Sequence, residues 1–202
     1  MVGIGPGSRD YILPIANRII TQAKVLVGSQ RALTTFAPSH AATKVINNDL
    51  NSVLTFITTA LLNNDVVVMV SGDPGFYSFL ATLKTKFLPE CITVIPGISS
   101  IQLAFARITE IWQDAILISM HGRQANDSDL IYCTDKKLGI LTDYEQNPLY
   151  IAKVLIEHGW PLNAKVWLCA NLSYENENIK QMTLGEIKNV DGFTHCVMVV
   201  TA

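Results

Sequence analysis

Two hydrophobic periods alternate along the chain. Short continuous apolar runs occur at Val25–Val27, Val66–Val70, Thr93–Ile95, Ala115–Ser119, Leu138–Leu141, Val166–Ala170 and Cys196–Val200. Runs of this length, rich in β-branched residues, suit strands buried on both faces. Between them lie segments of helical period: Ile12, Ile15, Ala16, Ile19, Ile20 and Ala23; then Val53, Leu54, Ile57 and Leu61; then Ile151, Ala152, Leu155 and Ile156. Asn147 and Pro148 stand where the last of these needs an N-cap and a first helical residue. The alternation predicts an α/β protein with largely parallel strand pairing. The second half is less regular. Gly122–Asp135 reads as a loop or short helix, Asn171–Lys180 is polar, and turn-like stretches between the late strands suit an antiparallel hairpin. A boundary between Arg107 and Asp114 divides the chain into expected α/β domains at 1–110 and 111–202.

Composition narrows the function classes. Of 202 residues, 49% are hydrophobic and only 16% charged, so a sizeable core can form and disorder is not expected. The formal net charge of −2 argues against electrostatic attraction to nucleic acid, although a local basic pocket is compatible with it. No apolar run approaches a membrane span. Met1 leads straight into a glycine-rich motif, without the basic and apolar regions of a signal peptide. Cys91, Cys133, Cys169 and Cys196 are far apart and form no CxxC pair, which predicts reduced thiols in a cytoplasmic protein. No histidine has metal-ligand spacing to a partner, so no bound metal is expected.

Three glycine-proline turns carry the candidate chemistry: Gly3-Ile4-Gly5-Pro6-Gly7, Ser71-Gly72-Asp73-Pro74-Gly75 and Pro96-Gly97-Ile98-Ser99-Ser100. Each precedes a helical segment, and at one sheet edge the three would form a single pocket wall. The dinucleotide fingerprint fails because Ser8 stands where its third glycine is needed, and no Gly-Lys-Ser/Thr of a P-loop follows any turn. Asp73 suits two roles equally, a cap for the following helix or an acceptor for ligand hydroxyl or ammonium groups. His121, just past an apolar run in Ser119-Met120-His121-Gly122-Arg123, is the histidine best placed for a site. Arg123 beside it suits either a substrate carboxylate or a solvated loop.

In this order, VGIGPGSRDYI (Val2–Ile12), VSGDPGFYS (Val70–Ser78) and VIPGISS (Val94–Ser100) resemble the three signatures of the tetrapyrrole methylase family of S-adenosylmethionine-dependent methyltransferases. The likeness spans nearly the whole chain. PGISSIQLAFAR, SMHGR, LTDYEQNP and NLSYENENI place it nearest the branch that methylates C-5 of precorrin-7 or its cobalt form.

The resemblance implies two α/β domains with S-adenosylmethionine in the cleft between them, S-adenosylhomocysteine as product, a tetrapyrrole substrate and a homodimer. It also implies a separate enzyme for C-15, with which this one could associate. Position by position it implies cofactor contacts at Pro6, Ser71, Gly72, Asp73, Phe76, Ser99 and Ser100, with Met120 or His121 and Asn171 or Leu172 from the second domain. No nucleophilic side chain is required, because the sulfonium is already activated, and none is assigned. His121 is expected near the reacting ring, with Arg123 and Arg107 on the substrate's acidic side chains. Two departures stand out. Only Met1 and Val2 precede Gly3, which leaves little of the family's first strand, and Ala170 stands where relatives often carry an acidic residue. Other substrates within the family, or a non-catalytic sensor of cofactor or tetrapyrrole, are the alternative readings.

Overall fold

The computed structural model describes residues 1–188, 191–193 and 195–202. Contacts divide them into two compact units, Met1–Ser99 and Ser100–Ala202.

In the first unit a parallel sheet contains β1 (Val2–Gly3), β2 (Val25–Gly28), β3 (Ala42–Val45) and β4 (Val66–Val70), in the order β1-β4-β2-β3. Four helices accompany it: α1 (Pro14–Gln22), α2 (Gln30–Phe36), α3 (Leu50–Ala60) and α4 (Leu80–Lys84). Successive residues of the central strands point to opposite faces, and both faces are covered. Leu26 and Met69 pack with Ala16, Ile20, Ala32 and Leu33 of α1 and α2. Val27 and Val68 pack with Val53, Ile57 and Leu83 of α3 and α4. That is why these strands read as unbroken apolar runs rather than alternating ones. Thr93–Ile95 forms a single parallel bridge, Ile95 to Val2, instead of a strand.

The second unit adds α5 (Ser100–Arg107), β5 (Ala115–Ser119), α6 (Asp127–Leu130), β6 (Lys137–Leu141), α7 (Pro148–Glu157), β7 (Lys165–Ala170), β8 (Asn178–Thr183) and β9 (Cys196–Thr201). The sheet order is β5-β6-β9-β7-β8. Here the expected parallel pairing holds only for β5 with β6; the other pairs are antiparallel. The turn from β7 to β8 is too short for a crossover, so the two strands form a hairpin. One face buries Leu138, Ile140, Leu168 and Met198 beneath Ile151, Ala152 and Leu155 of α7. On the other face Gly139 lets α5 approach, since a Cβ there would sit 2.9 Å from Phe105 Cε2. Asn147 caps α7 by accepting from Tyr150 N at 3.1 Å, with Pro148 as the first helical residue.

Candidate functional site

The first unit has a topological switch point. From β1 the chain crosses to β2, beyond β4; from β4 it returns through α4 to Ile95, beyond β1. Chain departures in opposite directions leave a crevice at the carboxyl ends of two neighbouring strands, where open α/β sheets bind ligands. The three glycine turns meet there. Gly72 N donates to Gly5 O at 2.8 Å and Ile4 N to Val70 O at 2.9 Å. A Cβ on Gly3 would lie 2.6 Å from Gly72 O, and one on Gly97 would lie 2.3 Å from the same oxygen. The three turns therefore pack backbone against backbone, and no side chain fits at either position.

Asp73 holds this arrangement together. Its Oδ1 accepts from Gly75 N at 2.7 Å and its Oδ2 from Gly97 N at 2.9 Å. The carboxylate joins the β4 turn to the Pro96-Gly97 turn and does not cap α4. Pro6, Gly72 and Phe76 are half-buried nearby in sequence, Ser71 is exposed and Ser99 is buried. Sequence reasoning missed Arg31, which follows β2 and donates through Nη2 to Ser71 Oγ at 2.7 Å. The available signal was a basic residue just past a strand's carboxyl end, as at Arg123.

In the second unit the carboxyl ends of β5, β6 and β7 share an edge with the amino end of β9. His121, at the end of β5, is exposed, while Met120 before it is 3% exposed and belongs to the core. His121 Nδ1 lies 3.4 Å from Thr142 O, and its ring centroid lies 5.8 Å from that of His195. Asp143 repeats the device seen at Asp73. Its Oδ2 accepts from Gly122 N and its Oδ1 from Gln146 N, both at 2.6 Å. Burial pushes its carboxyl up, but N–H donors from Gly122, Gln146 and Glu145, with His121 nearby, outweigh this and hold it below the usual value. Gln146 Nε2 donates to Arg123 O at 2.7 Å, which ties the backbone of the Arg123 loop to the turn after β6. Thr142 Oγ1 donates to Cys196 O at 3.0 Å and accepts from Cys196 N at 2.9 Å, joining the ends of β6 and β9.

The turn after β7 is strained. Asn171 and Ser173 adopt φ of 51° and 74°, on either side of Leu172, which is 5% exposed. Glu177 secures it, accepting from Ser173 N at 2.7 Å and from Arg107 Nε at 2.6 Å. Burial pushes the Glu177 carboxyl up, and these two donors bring it below its usual value. Arg107 is thus committed to the loop that carries Asn171 and Leu172. Cys169 and Cys196 are buried, and burial raises their thiols to about 12 and about 11, so both stay protonated. Cys91 and Cys133 are exposed free thiols.

Comparison with known proteins bears on the family and the fold. The family model described as Tetrapyrrole (Corrin/Porphyrin) Methylases matches residues 1–188. A protein of Methanocaldococcus jannaschii named "Probable cobalt-precorrin-7 C(5)-methyltransferase" is 35% identical over 199 residues, covering 95% of this chain and 92% of that one. The cobalt-precorrin-7 C(5)-methyltransferase of Salmonella typhimurium is 30% identical, covering 99% and 97%. Among solved structures, the uroporphyrin-III C-methyl transferase of Thermus thermophilus, complexed with S-adenyl homocysteine, shares the fold with a TM-score of 0.77 at 16% identity, covering 98% of this chain and 94% of that one. The chain belongs to the tetrapyrrole methylase family.

Proposed function

We propose that this tetrapyrrole methylase is an S-adenosylmethionine-dependent C-methyltransferase acting on C-5 of cobalt-precorrin-7, a step of cobalamin biosynthesis. The observation that carries the reading is the near full-length match, at 35% identity, to a relative bearing that name. The donor set of the first edge fits the cofactor. The turn Ser71–Ser78 offers hydroxyls, backbone groups, the aromatic Phe76 and one carboxylate, with no lysine or arginine of its own. Such a surface suits a molecule with hydroxyls, an ammonium group and a purine, and it suits a polyphosphate poorly. Pro6, Ser71, Gly72, Asp73, Phe76 and Ser99 would hold the cofactor from the first unit, and Ser100 from the start of the second. Met120 or His121, Asn171 and Leu172 would do so from the second.

When bound, S-adenosylmethionine supplies a methyl group on a sulfonium, open to in-line displacement by a nucleophilic carbon. The chain's task is alignment and exclusion of water. Replacing hydrogen by methyl at C-5 also leaves one proton to remove. His121 is the base in this reading. Its Nδ1 lies 3.4 Å from the carbonyl oxygen of Thr142, a contact that orients the ring. Arg123 pairs with an acidic side chain of the substrate, and Arg107 serves through Glu177 to shape the Asn171–Leu172 turn. The same reading has the enzyme work in the cytoplasm as a homodimer and hand its product to, or receive substrate from, a separate C-15 enzyme. Among the described residues no helix is long and apolar enough to cross a membrane.

The test is mass spectrometry of a reaction containing purified protein, S-adenosylmethionine with a deuterated methyl group, and cobalt-precorrin-7. One labelled methyl on the tetrapyrrole is expected. Labelling of a different tetrapyrrole alone would reassign the substrate. Cofactor binding without transfer to any precursor would favour a sensor.

A further inference from the structure

We propose that His195 is an axial ligand to the cobalt of the substrate, so that the site favours cobalt-precorrin-7 over the metal-free form. The inference rests on the function proposed above and names which form of the substrate the second unit takes. His195 lies beyond residues 1–188, the span that the family model matches.

A metal held by four ring nitrogens keeps its axial positions open, and one further donor completes the contact. Among the described residues no group of three or more His, Cys, Asp or Glu is placed to hold a metal ion of its own. A single imidazole in a fixed position is all that such a substrate requires. The imidazole and sulfur donors at the second unit's edge are few. Met120, Cys169 and Cys196 are buried. His121 has its Nδ1 3.4 Å from Thr142 O and is assigned to the proton. His195 is exposed and touches the His121 ring, and its own ring makes no hydrogen bond among the described residues.

One buried residue places both imidazoles. The Thr142 carbonyl orients His121. The Thr142 hydroxyl donates to Cys196 O at 3.0 Å and accepts from Cys196 N at 2.9 Å, and Thr142 N donates to Cys196 O at 3.1 Å. Three hydrogen bonds therefore fix the first residue of β9, directly after His195. The side chain of Cys196 joins the core, while the His195 ring lies against His121, with centroids 5.8 Å apart and planes tilted by 49°. An axial imidazole stands over the centre of the macrocycle. A second imidazole 5.8 Å from it is within reach of the outer ring, which carries C-5. One ring then holds the metal while the other serves the reacting carbon. In the binding step a ring nitrogen of neutral His195 gives its lone pair to cobalt and a solvent molecule leaves. No proton or electron is transferred.

Electron paramagnetic resonance reads this bond directly, because one axial nitrogen splits each line of divalent, low-spin cobalt into three. The sample is the purified protein with S-adenosylhomocysteine and cobalt-precorrin-7 in the divalent state. Wild type and His121→Ala should show the splitting, His195→Ala should lack it, and added imidazole should restore it to His195→Ala. Titrations should give cobalt-precorrin-7 a Kd about tenfold or more below that of precorrin-7 in wild type, and near-equal values in His195→Ala. In turnover His195→Ala should raise the KM for cobalt-precorrin-7 and leave that for precorrin-7 unchanged, a split that a merely structural role would not produce. A wild-type complex without splitting overturns the proposal. So does splitting that survives His195→Ala, or that vanishes equally in His121→Ala, and so does equal weakening of both forms of the substrate. Methyl transfer to cobalt-precorrin-7 without splitting defeats this inference alone. Splitting without methyl transfer defeats the function proposed above and leaves the ligand assignment standing.

Discussion

The two units solve one problem with different materials. Each has a carboxyl edge where two turns must be held in register, and each uses an aspartate that accepts from two backbone N–H groups: Asp73 from Gly75 and Gly97, Asp143 from Gly122 and Gln146. Around Asp73 the wall is backbone, packed so closely that side chains are excluded. Around Asp143 the edge is furnished by side chains, with His121, Thr142 and His195 close by. A backbone wall is sensitive to added volume, whereas a side-chain wall is sensitive to lost charge. That division matches the proposed labour, in which the first unit supplies most of the grip on a cofactor and the second the proton-handling group.

The sharpest way to break the comparison is to add one methyl to each edge. Gly97→Ala would put a Cβ 2.3 Å from Gly72 O, against backbone that cannot turn aside. A loss of about 3 kcal/mol or more is expected, at the upper end for overpacking. Gly122→Ala meets nothing within 4 Å and suffers only from its φ of +64°, so about 1 kcal/mol is expected. Urea unfolding of the two variants measures both. Equal losses would mean that the first edge yields as easily as the second.

Removing charge should shift the balance. Asp73→Asn keeps one acceptor and turns an NH2 toward the other N–H donor, at a cost of about 2 kcal/mol together with weaker S-adenosylhomocysteine binding in calorimetry. Asp143→Asn has the same geometry on a more open loop and should cost about 1 kcal/mol. Its effect must also depend on pH. The folded pKa of Asp143 lies below the ordinary value, so its contribution is present above that value and fades as pH falls through the folded one. The difference in Tm between wild type and Asp143→Asn should be full above about pH 5 and shrink steadily below about pH 4. A difference independent of pH would show that the carboxylate is not what holds the turn.

The same contrast explains what the sequence disclosed. Central strands such as Val66–Val70 and Cys196–Val200 are covered on both sides and announce themselves as apolar runs. Edge strands β3 (ATKV) and β8 (NIKQMT) have exposed or half-buried residues throughout, so their sequences carry no such signal. The seven-residue α2 is too short to show a helical period. The first edge was legible because backbone geometry demands glycine and proline, which are visible residue by residue. The Asp143–Gln146 turn was not, since its meaning depends on Gly122, 21 residues away. Arg31 meets Ser71 at a separation of 40 residues, and only the sheet order brings them together.

The smallest effect tests whether the second unit's edge extends to the turn after β7. Arg107 and Glu177 approach at 2.6 Å, but their side chains remain 36% and 21% exposed, so solvent screens the pair. A double-mutant cycle with Arg107→Gln and Glu177→Gln should give a coupling of about 0.5–1 kcal/mol. Glu177→Gln alone should cost more than Arg107→Gln, because it also weakens the bond from Ser173 N and releases a turn strained at Asn171 and Ser173. Faster amide exchange at residues 171–177, with the rest of the sheet unchanged, would place this turn with the charge-held edge. Unchanged exchange would mean that the buried Leu172 alone anchors it, and that this part of the second unit is held by packing like the first.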